Sequence, residues 1–290
     1  MTFLTTMTKY LALSSGENIF YREAGSPTSP TIVLLHGFPS SSHQFRNLIP
    51  ILARHYHVIA PDLPAFGFTS VPSNYTYSFD SIANSIDTFL AEIPNPPEKH
   101  SIYIFDYGAP TGFRLALKHP EKIQAIVSQN GNAYVEGLGA FWDPVKQLWA
   151  SNNSAPARDA LRPFLEIDGT KMQYFQGTPD PSTVAPESYT LDQALLDRPG
   201  NKEIQLDIFY DYRNNVELYP QWQEYLRKTQ VPLLAVWGKN DPIFIAPGAE
   251  AFKKDLPNAE VKLLDAGHFA VESNTVEIGS LMVEFLKNGI

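Results

Sequence analysis

The chain has 290 residues, 43% apolar and 18% charged, enough for one large domain with a sizeable core. A net charge of −9 with no basic run argues against nucleic acid or an anionic membrane surface as partner, and the absence of cysteine excludes disulfides, thiolate nucleophiles and Cys-ligated metals. No apolar stretch approaches the ~20 residues that span a bilayer and Met1–Tyr10 lacks the pattern of a secretory signal, so a cytoplasmic protein is expected.

Tyr10–Leu13 and Ile19–Arg22 flank a Ser-Gly-Glu-Asn turn and predict a hairpin. Short apolar runs follow at Thr31–Leu35, His57–Ala60, Ser101–Phe105 and Ile123–Ser128, each bounded by Gly, Pro or Asp. Runs this short and apolar fit strands buried on both faces. His55 and His57 fall on one strand face and read as structural. Between the runs, Phe79, Ile82, Ala83, Ile86, Phe89, Leu90 and Ile93 repeat at three and four, with Ser78 as N-cap and Pro94 as stop. Alternating strand and helix predicts a mostly parallel, doubly wound α/β sheet.

The alternation lapses over 132–228. This stretch holds Pro-rich turns, helical pieces at Asp192–Leu196 and Glu203–Tyr212, and seven of the fourteen tyrosines. It resumes with strand Pro232–Trp237, a helix near Pro247–Lys254, strand Glu260–Leu264 and a closing helix Thr275–Lys287. A pattern interrupted once and resumed predicts a core of residues 1–131 and 229–290 with a helical lid inserted at 132–228.

In open α/β sheets, ligands bind beyond the carboxyl ends of the strands. Four such ends carry polar residues. His36-Gly37-Phe38-Pro39 is a turn in which Gly37 permits close backbone approach and the Phe38 N–H can point into a site. The run Phe105-Asp106-Tyr107-Gly108-Ala109-Pro110 ends a strand on a carboxylate and starts a helix. Asp106 there is either an N-cap or the apex of a nucleophile elbow; no Gly-x-Ser-x-Gly occurs in the chain. Asn240-Asp241-Pro242 and Ala266-Gly267-His268-Phe269 follow two later strands. Nucleophile, acid, histidine is the chain order of an α/β-hydrolase triad.

These segments resemble the α/β-hydrolase superfamily, in its branch with an aspartate nucleophile: epoxide hydrolases and haloalkane or haloacetate dehalogenases. Asp62-Leu63-Pro64-Ala65-Phe66-Gly67-Phe68-Thr69-Ser70 resembles that family's Asp-x-x-Gly-x-Gly-x-Ser loop, with Phe66 where a Gly often stands. The resemblance implies catalysis by Asp106, His268 and Asp241, an oxyanion hole from the N–H groups of Phe38 and Tyr107, and no metal or cofactor. Some members take the acid from the end of the preceding core strand; Ser128-Gln129-Asn130 offers amides there, so Asp241 is the expected acid.

The resemblance to epoxide hydrolases rests on His36-Gly37-Phe38-Pro39 and on lid tyrosines that would hydrogen-bond the epoxide oxygen. Tyr210 and Tyr212 lie about where one such tyrosine falls. No tyrosine occurs around 151–156, which leaves Tyr134 or Tyr174 for the second. Trp149 with a lid tyrosine would make a halide pocket instead. The leading expectation is opening of epoxides to diols, with dehalogenation as the alternative. A ligand-binding receptor on a hydrolase scaffold is the second alternative. The partners expected are a small organic substrate and water, in a monomer or homodimer, with no nucleic acid or membrane.

Overall fold

The computed structural model describes residues 5–289. Eight strands form one sheet: β1 (Met7–Ala12), β2 (Asn18–Ala24), β3 (Thr31–Leu35), β4 (His57–Pro61), β5 (His100–Phe105), β6 (Ile123–Gln129), β7 (Leu233–Gly238) and β8 (Glu260–Leu264). Their order is β1-β2-β4-β3-β5-β6-β7-β8, with β1, β2 and β4 paired antiparallel and β4 through β8 parallel.

The short apolar runs become central strands because both faces are covered. Val33, Leu35, Ile59, Ile102 and Ile104 join one core cluster; Ile32, Leu34, Val58, Tyr103 and Phe105 join the other. That alternation is the period of a strand, divided between two helical layers. Helices α1 (Ile49–Leu52), α2 (Phe79–Glu92) and α3 (Gly108–Lys118) arise among the first six strands. The α2 N-terminus is capped as expected, with Ser78 Oγ accepting from the Ser81 N–H, and Ile93 before Pro94 has left helical geometry.

The insertion lies between β6 and β7. It contains α4 (Asp143–Ala150), α5 (Ala155–Leu161), α6 (Ile167–Phe175), α7 (Pro186–Leu196), α8 (Asn201–Asp211) and α9 (Arg213–Thr229). The core then resumes with α10 (Pro247–Ala251), α11 (Ala270–Ser273) and α12 (Thr275–Gly289) around β7 and β8. The architecture is a mostly parallel α/β sheet with a helical lid.

Two local readings are corrected. His55 precedes β4 in a turn, so His57 alone lies on the strand, its Nε2 2.7 Å from Glu23 Oε1. In the loop after β4, Ala65 rather than Phe66 takes the left-handed conformation that glycine suits, with φ 82°.

Strand order positions the site. From β3 the chain winds outward to β4, then crosses back to β5 on the other side of β3. The carboxyl ends of β3 and β5 therefore diverge at the switch point where ligands bind in such sheets. His36-Gly37-Phe38 leaves one end and Asp106 the other.

Candidate active site

Asp106 directly follows β5 with φ 46°, a left-handed conformation that non-glycine residues seldom adopt, and α3 begins two residues later. The N-cap position of α3 is Tyr107, and no side chain caps the helix. Asp106 is therefore the apex of a sharp strand-to-helix turn, and the N-cap alternative is set aside. Its Oδ1 accepts the Phe38 N–H at 2.7 Å. A Cβ on residue 37 would lie 2.3 Å from that oxygen, so only glycine lets the two loops approach this closely. Burial pushes the Asp106 pKa up to about 6, against the lowering effects of His268 and of the Phe38 and Tyr107 N–H groups.

His268 follows β8 and is fully buried. Its Nδ1 is 2.8 Å from Asp241 Oδ2. A carboxylate only accepts, so Nδ1 carries the proton and the Nε2 lone pair is free. Among the described residues Nε2 has no hydrogen-bond partner, and it stands 3.9 Å from Asp106 Oδ2. Burial alone would lower the His268 pKa, but the charge and hydrogen bond of Asp241, with the charge of Asp106, leave it raised. Asp241 is fixed in turn: its Oδ1 accepts from the Ile243 N–H at 2.7 Å and its Oδ2 from Asn130 Nδ2 at 2.7 Å. The amide at the end of β6 thus braces the acid.

Above Asp106 lies a small cavity of about 20 Å³, room for about one water molecule. Phe38, Tyr107 and Ile243 line it from the core; Phe141, Trp142, Val145, Gln173 and Phe209 line it from the lid. Gln173 is buried and is the one amide side chain among these lining residues. Both nearby indole N–H groups are taken: Trp142 Nε1 donates to the Ile243 carbonyl at 2.9 Å and Trp149 Nε1 to the Phe209 carbonyl at 2.8 Å.

The lid tyrosines separate. Tyr212 is fully buried, with its ring centroid 4.4 Å from that of Trp142 and 5.9 Å from that of Tyr107. Trp149 stacks parallel to it at 6.3 Å. Tyr210 turns away: its hydroxyl donates to Asn152 Oδ1 at 2.5 Å and Arg213 lies over its ring, because alternate helical positions face opposite ways. The Tyr134 hydroxyl donates to Asp255 Oδ2 at 2.7 Å and is not brought to the cavity. Nor is Tyr174, whose ring stacks 3.9 Å from that of Phe269 and whose hydroxyl donates to Asp192 Oδ2 at 2.5 Å. Burial raises the Asp192 pKa to about 7. The sequence reading missed the lid residues that line the cavity, Phe141, Trp142, Val145, Gln173 and Phe209; the pointer to Gln173 was its place beside Tyr174.

Among the described residues, no cluster of His, Cys, Asp or Glu could hold a metal, and no helix is long and apolar enough to cross a membrane.

Residues 30–275 match the family described as alpha/beta hydrolase fold. An uncharacterized hydrolase of Saccharomyces cerevisiae is 50% identical over 276 residues, 94% of either chain. The chain belongs to the α/β-hydrolase fold family, and its buried Asp–His–Asp arrangement is that of a hydrolase. A haloalkane dehalogenase of Bradyrhizobium diazoefficiens is 33% identical over 113 residues, covering 38% of this chain and 35% of its own. The solved epoxide hydrolase CorEH superposes with a TM-score of 0.80 at 18% identity, covering 98% of this chain and 99% of its own; at that identity the likeness is one of fold.

Proposed function

We propose that this enzyme opens epoxides to diols through an ester on Asp106, with His268 as base, Asp241 as its orienting acid, and residues 132–228 as the lid over a small organic substrate. The carrying observation is the carboxylate at the elbow. One oxygen is held by the Phe38 N–H, and the group borders an apolar cavity. A carboxylate needs no base to attack a saturated carbon, where a serine hydroxyl would.

In the first half-reaction, Asp106 Oδ2 bonds to an epoxide carbon and the ring C–O bond breaks. The released oxygen takes a proton from a lid phenol. Tyr212 is the phenol that suits this step, being buried against the cavity-lining Trp142 and Tyr107. In the second, His268 Nε2 takes a proton from water and the hydroxide attacks the Asp106 carboxyl carbon. The oxyanion forms on Oδ1 between the Phe38 and Tyr107 N–H groups, each such donor typically worth about 3–4 kcal/mol. On collapse the ester C–O bond breaks, the leaving oxygen takes the proton held by His268, the diol departs, and the Asp106 carboxyl loses its remaining proton to solvent. The phenol recovers its proton from solvent.

The dehalogenase relative motivates a second reading, in which the cavity holds a halide. The indole N–H groups that would serve a halide are both bonded to carbonyls, which favours the epoxide.

The test is a single turnover in heavy-oxygen water with terminal epoxides, bromoalkanes and haloacetates. Label in the Asp106 carboxylate together with diol formation is the expected result. Halide release without diol would make the enzyme a dehalogenase. Label in product alone would remove Asp106 as nucleophile. Tight binding of a small apolar ligand without turnover would favour a receptor.

A further inference from the structure

We propose that Asn132 and Tyr219 are positioning residues that turn the Tyr212 hydroxyl proton toward the substrate, an inference that rests on the epoxide reading above. Its basis is the polarity of a buried hydrogen-bond chain. Asn132, Tyr212 and Tyr219 are each at most 1% exposed. Asn132 Nδ2 lies 2.7 Å from the Tyr134 carbonyl, which can only accept, so this end of the amide is the NH2. The Tyr134 N–H at 3.4 Å from Oδ1 agrees. A Cβ on residue 137 would lie 2.1 Å from Asn132 Oδ1, so glycine there lets the amide occupy its place.

The same Nδ2 reaches Tyr219 Oη at 3.1 Å. Tyr219 therefore accepts, and its own proton has one polar neighbour among the described residues, Tyr212 Oη at 3.3 Å. If Tyr219 donates there, Tyr212 keeps a proton without a protein acceptor. The opposite arrangement would strand the Tyr219 proton instead. A bound epoxide decides between them: with its oxygen beside Tyr212, only the arrangement in which Tyr219 donates to Tyr212 gives both phenol protons an acceptor.

The chain has a second effect. As Tyr212 yields its proton to the opening ring, its oxygen gains charge. The Tyr219 O–H, backed by the Asn132 N–H, is already aimed at that oxygen, and successive hydrogen bonds in a buried chain strengthen one another. Neither Asn132 nor Tyr219 touches substrate.

The experiment separates the two half-reactions by rapid quench in a single turnover of an epoxide. Tyr219→Phe keeps the ring that packs on Trp222 and deletes the hydroxyl. Ester formation should slow by roughly 10-fold or more, while ester hydrolysis stays within about 2-fold. Tyr212→Phe combined with Tyr219→Phe should be no slower than Tyr212→Phe alone, since the relay acts only through that phenol. Should Tyr219→Phe fold poorly by thermal melt, Asn132→Asp is the second variant. A carboxylate there accepts the Tyr219 proton and reverses the chain, so ester formation should fall toward the Tyr212→Phe rate. Unchanged ester formation, a parallel fall in both steps, or additive losses in the double variant would overturn the relay. Wild-type enzyme that forms no ester from any epoxide would overturn the epoxide reading and the relay with it; a competent wild type matched by Tyr219→Phe would overturn the relay alone.

Discussion

Asn130 donates to the same Asp241 oxygen that receives the His268 Nδ1 proton, across 2.7 Å and 2.8 Å. The side chain that some relatives would use as the acid here holds the acid. Asn130→Asp should tolerate the left-handed backbone at φ 48°, but it places a second carboxylate beside Asp241. Two negative charges raise the His268 pKa further and remove the donor that fixes Asp241. Ester hydrolysis should slow by about 10-fold or more at neutral pH, with the midpoint of its pH profile moved upward. Single-turnover hydrolysis across pH checks this, and an unmoved midpoint would refute it.

The 3.9 Å gap between His268 Nε2 and Asp106 Oδ2 places the base beside the nucleophile without bonding it. His268→Gln should therefore still be alkylated and then stall. Intact-protein mass spectrometry after mixing with an epoxide should show an adduct, absent in Asp106→Ala. A His268→Gln enzyme that accumulates no adduct would mean the histidine serves the first step.

Two buried carboxyls bind protons more tightly in the fold than in the unfolded chain, Asp106 at about 6 and Asp192 at about 7 against the ordinary 3.8. The stability each contributes is complete below about pH 4 and is lost as pH rises through its folded value. Unfolding by urea should show a midpoint that falls between pH 5 and pH 8, by an energy on the order of a few kcal/mol. Asp106→Asn and Asp192→Asn together should flatten that dependence. The activity runs the other way: an unionised Asp106 cannot attack, so ester formation should fail as pH drops below about 6. A flat stability profile in the wild type would contradict the assignment.

Gln173 lines the cavity from the lid with a buried amide. Gln173→Met keeps length and removes both hydrogen-bonding atoms. If the amide binds the substrate's polar end, KM for an epoxide should rise about 5- to 10-fold, as loss of one hydrogen bond of about 1–1.5 kcal/mol implies. An unchanged KM would make Gln173 a packing residue.

The core and its catalytic carboxyls were legible because they follow short-range rules. Runs such as Ser101–Phe105 read as strands from five residues, and a polar residue at a strand's carboxyl end marks a site in any sheet of this kind. The lid was not legible to the same degree. Its helices carry polar and aromatic residues on several faces, and which of them faces inward depends on how each helix is rotated against its neighbours. Tyr210 and Tyr212 are two apart and equally suitable by spacing, yet one meets Asn152 and the other Tyr219. Tyr174 is one residue from the cavity and bonds to Asp192, while Gln173 occupies the place. Asn130 was visible as an amide, but its partnership with Asp241 joins positions 111 apart and leaves no local trace.

The placement of the lid between β6 and β7 also orders the enzyme's birth on the ribosome. The strands that flank Asp106 are complete once β6 has emerged, and the sheet then ends on a bare edge, β6, apolar on both faces. Asp241 and His268 come only after the whole lid, so at ordinary rates of synthesis the nascent chain holds its nucleophile roughly 8–30 s before the base exists. During that interval an electrophile could esterify Asp106 with no means of release. The lid, next to leave the tunnel, is the segment available to cover both the reactive carboxylate and the open sheet edge until β7 and β8 arrive.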